Sequence, residues 1–96
     1  MENNSECVLR TQVILRTHFG EEPVIDTSRG EPNLTFRDQD KNRYRVYVQE
    51  EFEEDYPVMR GSYDSILQSL PEALRRSSSR TVLVTRDGID EYSAPL

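Results

Sequence analysis

A small α+β domain is predicted by this sequence: a mostly antiparallel sheet of four to five strands, with one bent helix (or two short helices) packed on one face. Three observations lead there. Several runs alternate apolar and polar residues with the period of a half-buried strand. A single apolar stripe with helical period lies between Ser62 and Arg76. Leu, Ile, Val and Phe total 23 of the 96 residues, above the roughly 20% below which highly charged chains tend to stay unfolded. The length suits one domain, 1–96, with 1–5 read as a flexible N-terminal stretch.

Cys7 to Phe19 places Cys7, Leu9, Thr11, Val13, Leu15, Thr17 and Phe19 on one side of a pleat and Arg10, Gln12, Arg16 and His18 on the other. Only Val8 and Ile14 break the polar side, so a long strand is expected. Gly20 to Asn33, with two Gly and two Pro, reads as a loop that encloses a short edge strand at Pro23–Asp26. Asn33–Arg37 and Arg43–Gln49 alternate on either side of the polar segment Asp38–Asn42, a hairpin with a longer loop.

Residues 49–61 read as an acidic loop or edge segment. In the next stretch Ile66, Leu67, Leu70, Ala73 and Leu74 share one helical face. Pro71 interrupts that face, and Ser69-Leu70-Pro71-Glu72 has the form of a capping box. The helix is therefore expected to break or bend near Ser69. Thr81–Thr85 is a run rich in β-branched residues, interrupted only by Leu83, of the kind that suits a central strand covered on both faces. Asp87-Gly88 then signals a tight turn, with a returning strand at Ile89–Tyr92.

The net charge of −6 is concentrated. Residues 49–64 hold six acids against Arg60 alone, whereas the flanking segments are nearly balanced. Adjacent carboxylates repel one another, so such a block is a solvated loop or a surface for a cationic partner. The bases are lopsided too, with eleven Arg and one Lys.

Several chemistries are excluded by counting. One Cys and one His cannot complete a zinc site, although Thr17–Pro23 is similar to the end of a zinc finger and its linker. Asp38–Asn42 starts like a calcium-binding EF-hand loop, but Arg43 stands where Gly is needed and Gln49 where the bidentate Glu belongs. No cofactor and no metal are expected. Cys7 and His18, placed on opposite sides of one strand, cannot form a nucleophile–base pair. No glycine-rich phosphate loop occurs, and no apolar run is long enough to span a bilayer. Arg75-Arg76-Ser77-Ser78-Ser79-Arg80 resembles a basophilic kinase site.

The resulting expectation is a non-enzymatic, cytoplasmic, protein-binding domain of inhibitor, immunity, anti-defence or regulatory-subunit type. It would dock a basic surface of a protein partner through Glu50, Glu51, Phe52, Glu53, Glu54, Asp55 and Tyr56, the acids steering and the two aromatics anchoring. Mimicry of nucleic acid by the carboxylates is one alternative. Binding of RNA through a sheet face bearing Arg37, Arg43, Arg45 and Tyr47 is another, which a sequence pI near 4.7 opposes. Self-association through strand edges is a further one.

Overall fold

The structure is a computed structural model and describes residues 5–27 and 31–92. Among these residues the order is α1 (Glu6–Phe19), β1 (Val24–Asp26), β2 (Asn33–Arg37), β3 (Arg43–Val48), α2 (Glu50–Asp55), α3 (Arg60–Gln68), α4 (Leu70–Arg76), β4 (Thr81–Thr85) and β5 (Gly88–Glu91). One α+β domain results, as expected. The expected flexible stretch lies, apart from Ser5, outside the described residues.

The first element corrects the sequence reading, because Cys7 to Phe19 is a helix and not a strand. Its buried residues are Cys7, Val8, Thr11, Ile14 and Leu15, spaced i, i+1, i+4, i+7 and i+8. Val8 and Ile14, the two apparent breaks in the alternation, are 0% and 4% exposed, whereas Leu9 and Val13 of the alternating set are 44% and 38% exposed. The run is apolar enough to fit both periods, and the ends decide for the helix. Ser5 Oγ accepts from the Val8 N–H at 3.2 Å, and Gly20 closes the helix at φ 78° with its N–H bonded to the Arg16 carbonyl.

The acidic segment is the second correction. Residues 50–55 form a helix, not a loop or an edge. Glu50, Glu51 and Glu53 stand in its first turn, where carboxylates favour a helix by opposing its dipole. Phe52 and Tyr56, one turn apart, are 0% and 2% exposed. They begin an apolar stripe that Tyr63, Leu67, Leu70 and Leu74 continue, all buried. The ring of Phe52 stacks on Tyr63 at 4.2 Å, and the Tyr56 hydroxyl donates to Asp64.

The bend near Pro71 is present: α3 ends at Gln68, Ser69 intervenes, and Pro71 opens the first turn of α4. The capping box itself does not form. Ser69 Oγ turns back and donates to the Ile66 carbonyl at 2.7 Å, so the missing proline N–H, rather than a serine cap, accounts for the break.

The five strands lie in the order β1-β2-β3-β4-β5, antiparallel except for the parallel β3–β4 pair. Thus β3 is the central strand, and β4 is one in from the edge. Only Val82 and Val84 of β4 are buried, and the other face of that strand is half-exposed. Its β-branched run reflects one covered face, not two. The tight turn after it is Arg86-Asp87, with Gly88 already paired to Thr85.

The inner face of the sheet presents Leu34, Phe36, Tyr44, Val46, Val48, Val82 and Val84 to the helices, all within the buried core. Phe19 pins the end of α1 to this face, its ring 4.8 Å from Phe36 and 5.2 Å from Tyr44. On the outer face no described side chain is fully buried.

Candidate functional site

Two surfaces compete: the outer side of α2 and the outer face of the sheet. On α2, Glu50, Glu51 and Glu54 are exposed, Glu53 and Asp55 are half-buried, and Phe52 and Tyr56 belong to the core. The two aromatics cannot anchor a partner, because reaching one would open the domain. Burial also pushes the Tyr56 hydroxyl up to about 12, helped by its hydrogen bond to Asp64. Several of the acids are already engaged. Arg86 lies 3.2 Å from Glu51 and 3.8 Å from Asp55, and Ser5 Oγ donates to Glu53 at 2.6 Å. Glu50 and Glu54 alone of the five have no hydrogen-bond or ion-pair partner among the described residues.

The outer sheet face is built by strand alternation. On β3 the odd positions Arg43, Arg45 and Tyr47 point outward, since Tyr44, Val46 and Val48 are buried. The register sets Arg37 of β2 directly opposite Arg43, Thr35 opposite Arg45, and Asn33 opposite Tyr47. On the far side Arg45 meets Thr81, and Tyr47 meets Leu83. No arginine here faces an acid across the strands. Arg37 and Arg43 instead oppose one another, an arrangement that costs stability. None of Arg37, Arg43 and Arg45 has an ion-pair partner among the described residues.

These three arginines line a concavity of about 440 Å³ together with Val24, Thr35, Phe36, Asp38, Glu21 and Glu22. Two of its three carboxylates are committed elsewhere. Glu22 pairs with Arg16 at 3.9 Å. Asp38 accepts from the Asp40 and Asn42 backbone N–H groups, the Asn42 amide and the Tyr44 hydroxyl. Partial desolvation works against the Asp38 carboxylate, but these hydrogen bonds outweigh it and hold its pKa below the ordinary value. Asp38 therefore shapes the hairpin turn and is not part of an ion site. The guanidinium Nε of Arg45 is buried without a hydrogen-bond partner among the described residues, while its Nη1 donates to the Tyr47 hydroxyl at 3.3 Å.

Tyr47 adds an aromatic surface beside the arginines. Its ring packs on Tyr92 at 4.4 Å, which reaches across β4 from the end of β5. No local pattern points to this pair, because it depends on the parallel β3–β4 register. Arg75 and Arg76 do not join the face: Arg75 sits over the Phe19 ring at 4.8 Å, and Arg76 pairs with Glu72 at 2.8 Å. Ser77 and Ser78 both donate to Glu91.

Cys7 and His18 lie on one helix, eleven positions apart, which is about 16 Å of axial rise. With a helix in place of the expected strand, opposite sides of a pleat no longer separate them. Distance keeps them apart instead. Desolvation, with Glu53 nearby, pushes the buried Cys7 thiol up to about 12. Among the described residues no helix is long and apolar enough to cross a membrane. In comparisons with known proteins, the chain matches no family model, no curated protein and no solved structure.

Proposed function

We propose that this protein is a non-enzymatic binding module that receives an anionic partner on the outer face of its sheet. The observation that carries this reading is the arginine cluster. Arg37 and Arg43 are held opposite one another beside Arg45, at a cost to stability, and none of the three forms an ion pair among the described residues, although Glu21, Glu22 and Asp38 share their concavity. An unrelieved cluster of like charges on an uncovered face is what a site for opposite charge looks like before it is filled. The inert state of Cys7 and its distance from His18 favour binding over nucleophilic chemistry. A cytoplasmic location belongs to the same reading, since one cysteine needs no oxidising compartment.

A second reading keeps the acidic helix as the docking surface for a basic protein. The exposed, unpartnered Glu50 and Glu54 favour it. Without Phe52 and Tyr56 it retains only steering charge, which speeds encounter more than it holds a complex.

Backbone amide shifts measured by NMR during titration separate the two. With a polyglutamate peptide as a generic polyanion, the largest shifts are expected at Thr35–Arg37 and Arg43–Tyr47. With a polylysine peptide they would fall on 50–55. Polyanion shifts confined to residues outside β2, β3 and β4 would remove the first reading.

A further inference from the structure

We infer that the anionic partner of this face is single-stranded nucleic acid; the inference rests on the sheet-face reading above and names its ligand. Three features of the face carry it.

The first is a track along β3 whose strand-paired rows across β2, β3 and β4 carry no acid, with Glu21, Glu22 and Asp38 lining the concavity beside the arginines. Its rows run from Arg37 and Arg43, through Thr35, Arg45 and Thr81, to Asn33, Tyr47 and Leu83. Asp26 and Asp90 flank the third row from the edge strands. From Arg43 to Tyr47 the track is about 13 Å long, suited to the two or three nucleotides that a sheet typically stacks.

The second is the placement of flat rings immediately beyond the cations. Tyr47 and Tyr92 are half-exposed and contact each other, and Tyr47 touches Arg45 through its hydroxyl. Phosphates on Arg37, Arg43 and Arg45 would bring a base over that pair. An acidic peptide would use the guanidinium groups but has no comparable need for ring faces.

The third concerns the net charge of −6, the main objection to nucleic acid. The acidic helix begins beyond the far end of β3, about 16 Å from Arg43. That is about twice the Debye length of about 8 Å at physiological salt, so the Arg37–Arg43 end of the track is largely screened from the helix, whereas Tyr47 lies next to it.

The test is fluorescence anisotropy with oligouridylate, oligothymidylate, polyglutamate peptide and a short DNA duplex, over a range of salt. Three phosphate contacts on a single strand predict a log–log salt slope of about −2. The double variant Arg37→Gln/Arg43→Gln should bring it to about −0.7, because Arg45 alone remains. Tyr92→Leu should weaken oligonucleotide binding by about tenfold and leave polyglutamate unaffected. Circular dichroism melts verify that each variant folds. If Tyr92→Leu unfolds, quenching of tyrosine fluorescence by the oligonucleotide in the unsubstituted protein reads the same contact, and its absence overturns the inference. Preference for oligouridylate or oligothymidylate shows which strand chemistry, sugar and base methyl together, the face favours, and either result supports the inference. Binding of polyglutamate alone, abolished by the arginine variant, overturns nucleic acid and leaves the sheet-face reading standing. No binding of any polyanion at about 20 mM salt, where phosphate contacts are strongest, overturns both. Oligonucleotide binding with an unchanged slope in the arginine variant, or binding of duplex as tight as single strand, also overturns the inference.

Discussion

The acidic helix α2 and the arginine-bearing strands β2 and β3 hold charge of opposite sign in opposite ways. On α2 the charges are adjacent in sequence and largely used within the molecule. They oppose the helix dipole, meet Arg86 and Ser5, and alternate with two aromatics that belong to the core. On the sheet, Arg37, Arg43 and Arg45 are scattered in sequence, converge only through register, and have no ion-pair partner among the described residues. Local density of charge therefore reports how a segment folds, whereas charge left without a partner reports what a surface can still do. The first is visible in a window of seven residues, and the second needs the whole sheet.

The sharpest way to break this contrast is to cut Phe52 or Tyr56 to Ala. Both are expected to destabilise the domain by about 3–5 kcal/mol, through the lost transfer energy and the cavity left behind. Urea melts measure it. A loss below about 1 kcal/mol would return the aromatics to the surface and restore the anchored acidic docking site.

Next in size is the α1 test. Ile14→Ala should cost about 2–5 kcal/mol, and Leu9→Ala well under half of that, because the first is buried and the second 44% exposed. The reverse order in thermal melts would bring back the strand.

The cap residues follow. Ser5→Ala should lower stability by about 1 kcal/mol. Gly20→Ala should cost a similar amount, since its φ of 78° strains any residue with a Cβ.

Arg86→Ala should be the smallest, about 0–1 kcal/mol, because its pairs with Glu51 and Asp55 are exposed and screened. A larger loss would mean that α2 is held by charge more than by Phe52.

pH sharpens the opposite pole. The folded-state pKa of Asp38 is depressed, so its contribution is present above the ordinary value of 3.8 and fades as pH falls through the lower folded value. Asp38→Asn should therefore narrow the stability difference between pH 7 and pH 3, as read by urea melts at both. An unchanged difference would detach the turn from Asp38 ionisation.

Legibility followed the range of the interaction that fixes each feature. The β2–β3 hairpin, the break at Ser69 and the β4–β5 turn were readable because neighbouring residues set them. The α1 error was also local and avoidable: Ser5 before the run and Gly20 after it are helix punctuation, while Val8 and Ile14 are the missing members of the helical stripe. The same holds for α2, where Phe52 and Tyr56 stand one turn apart ahead of Tyr63. The arginine row was foreseen as a shared face, from alternation. Its opposed Arg37–Arg43 pair, its lack of acids in the paired positions of β2, β3 and β4 and the Tyr47–Tyr92 contact all depend on which strands meet, and the sequence of one strand does not contain that.

The parallel pairing of β3 with β4 has a kinetic consequence. The antiparallel hairpins close over short loops, five residues between β2 and β3 and two between β4 and β5. The seam between them joins Arg45 to Thr81, positions 36 apart, so the principal loop-closure entropy falls on one non-local event. Folding is then expected to run as two quick hairpins and one slower docking step that waits for α2, α3 and α4 to fill the crossover. A Val82→Ala variant should refold more slowly in stopped-flow mixing, whereas loss of its stability solely through faster unfolding would place the seam after the rate-limiting barrier. Until that step is complete the arginine row stands without its aromatic end, because Tyr47 and Tyr92 lie on opposite sides of the seam.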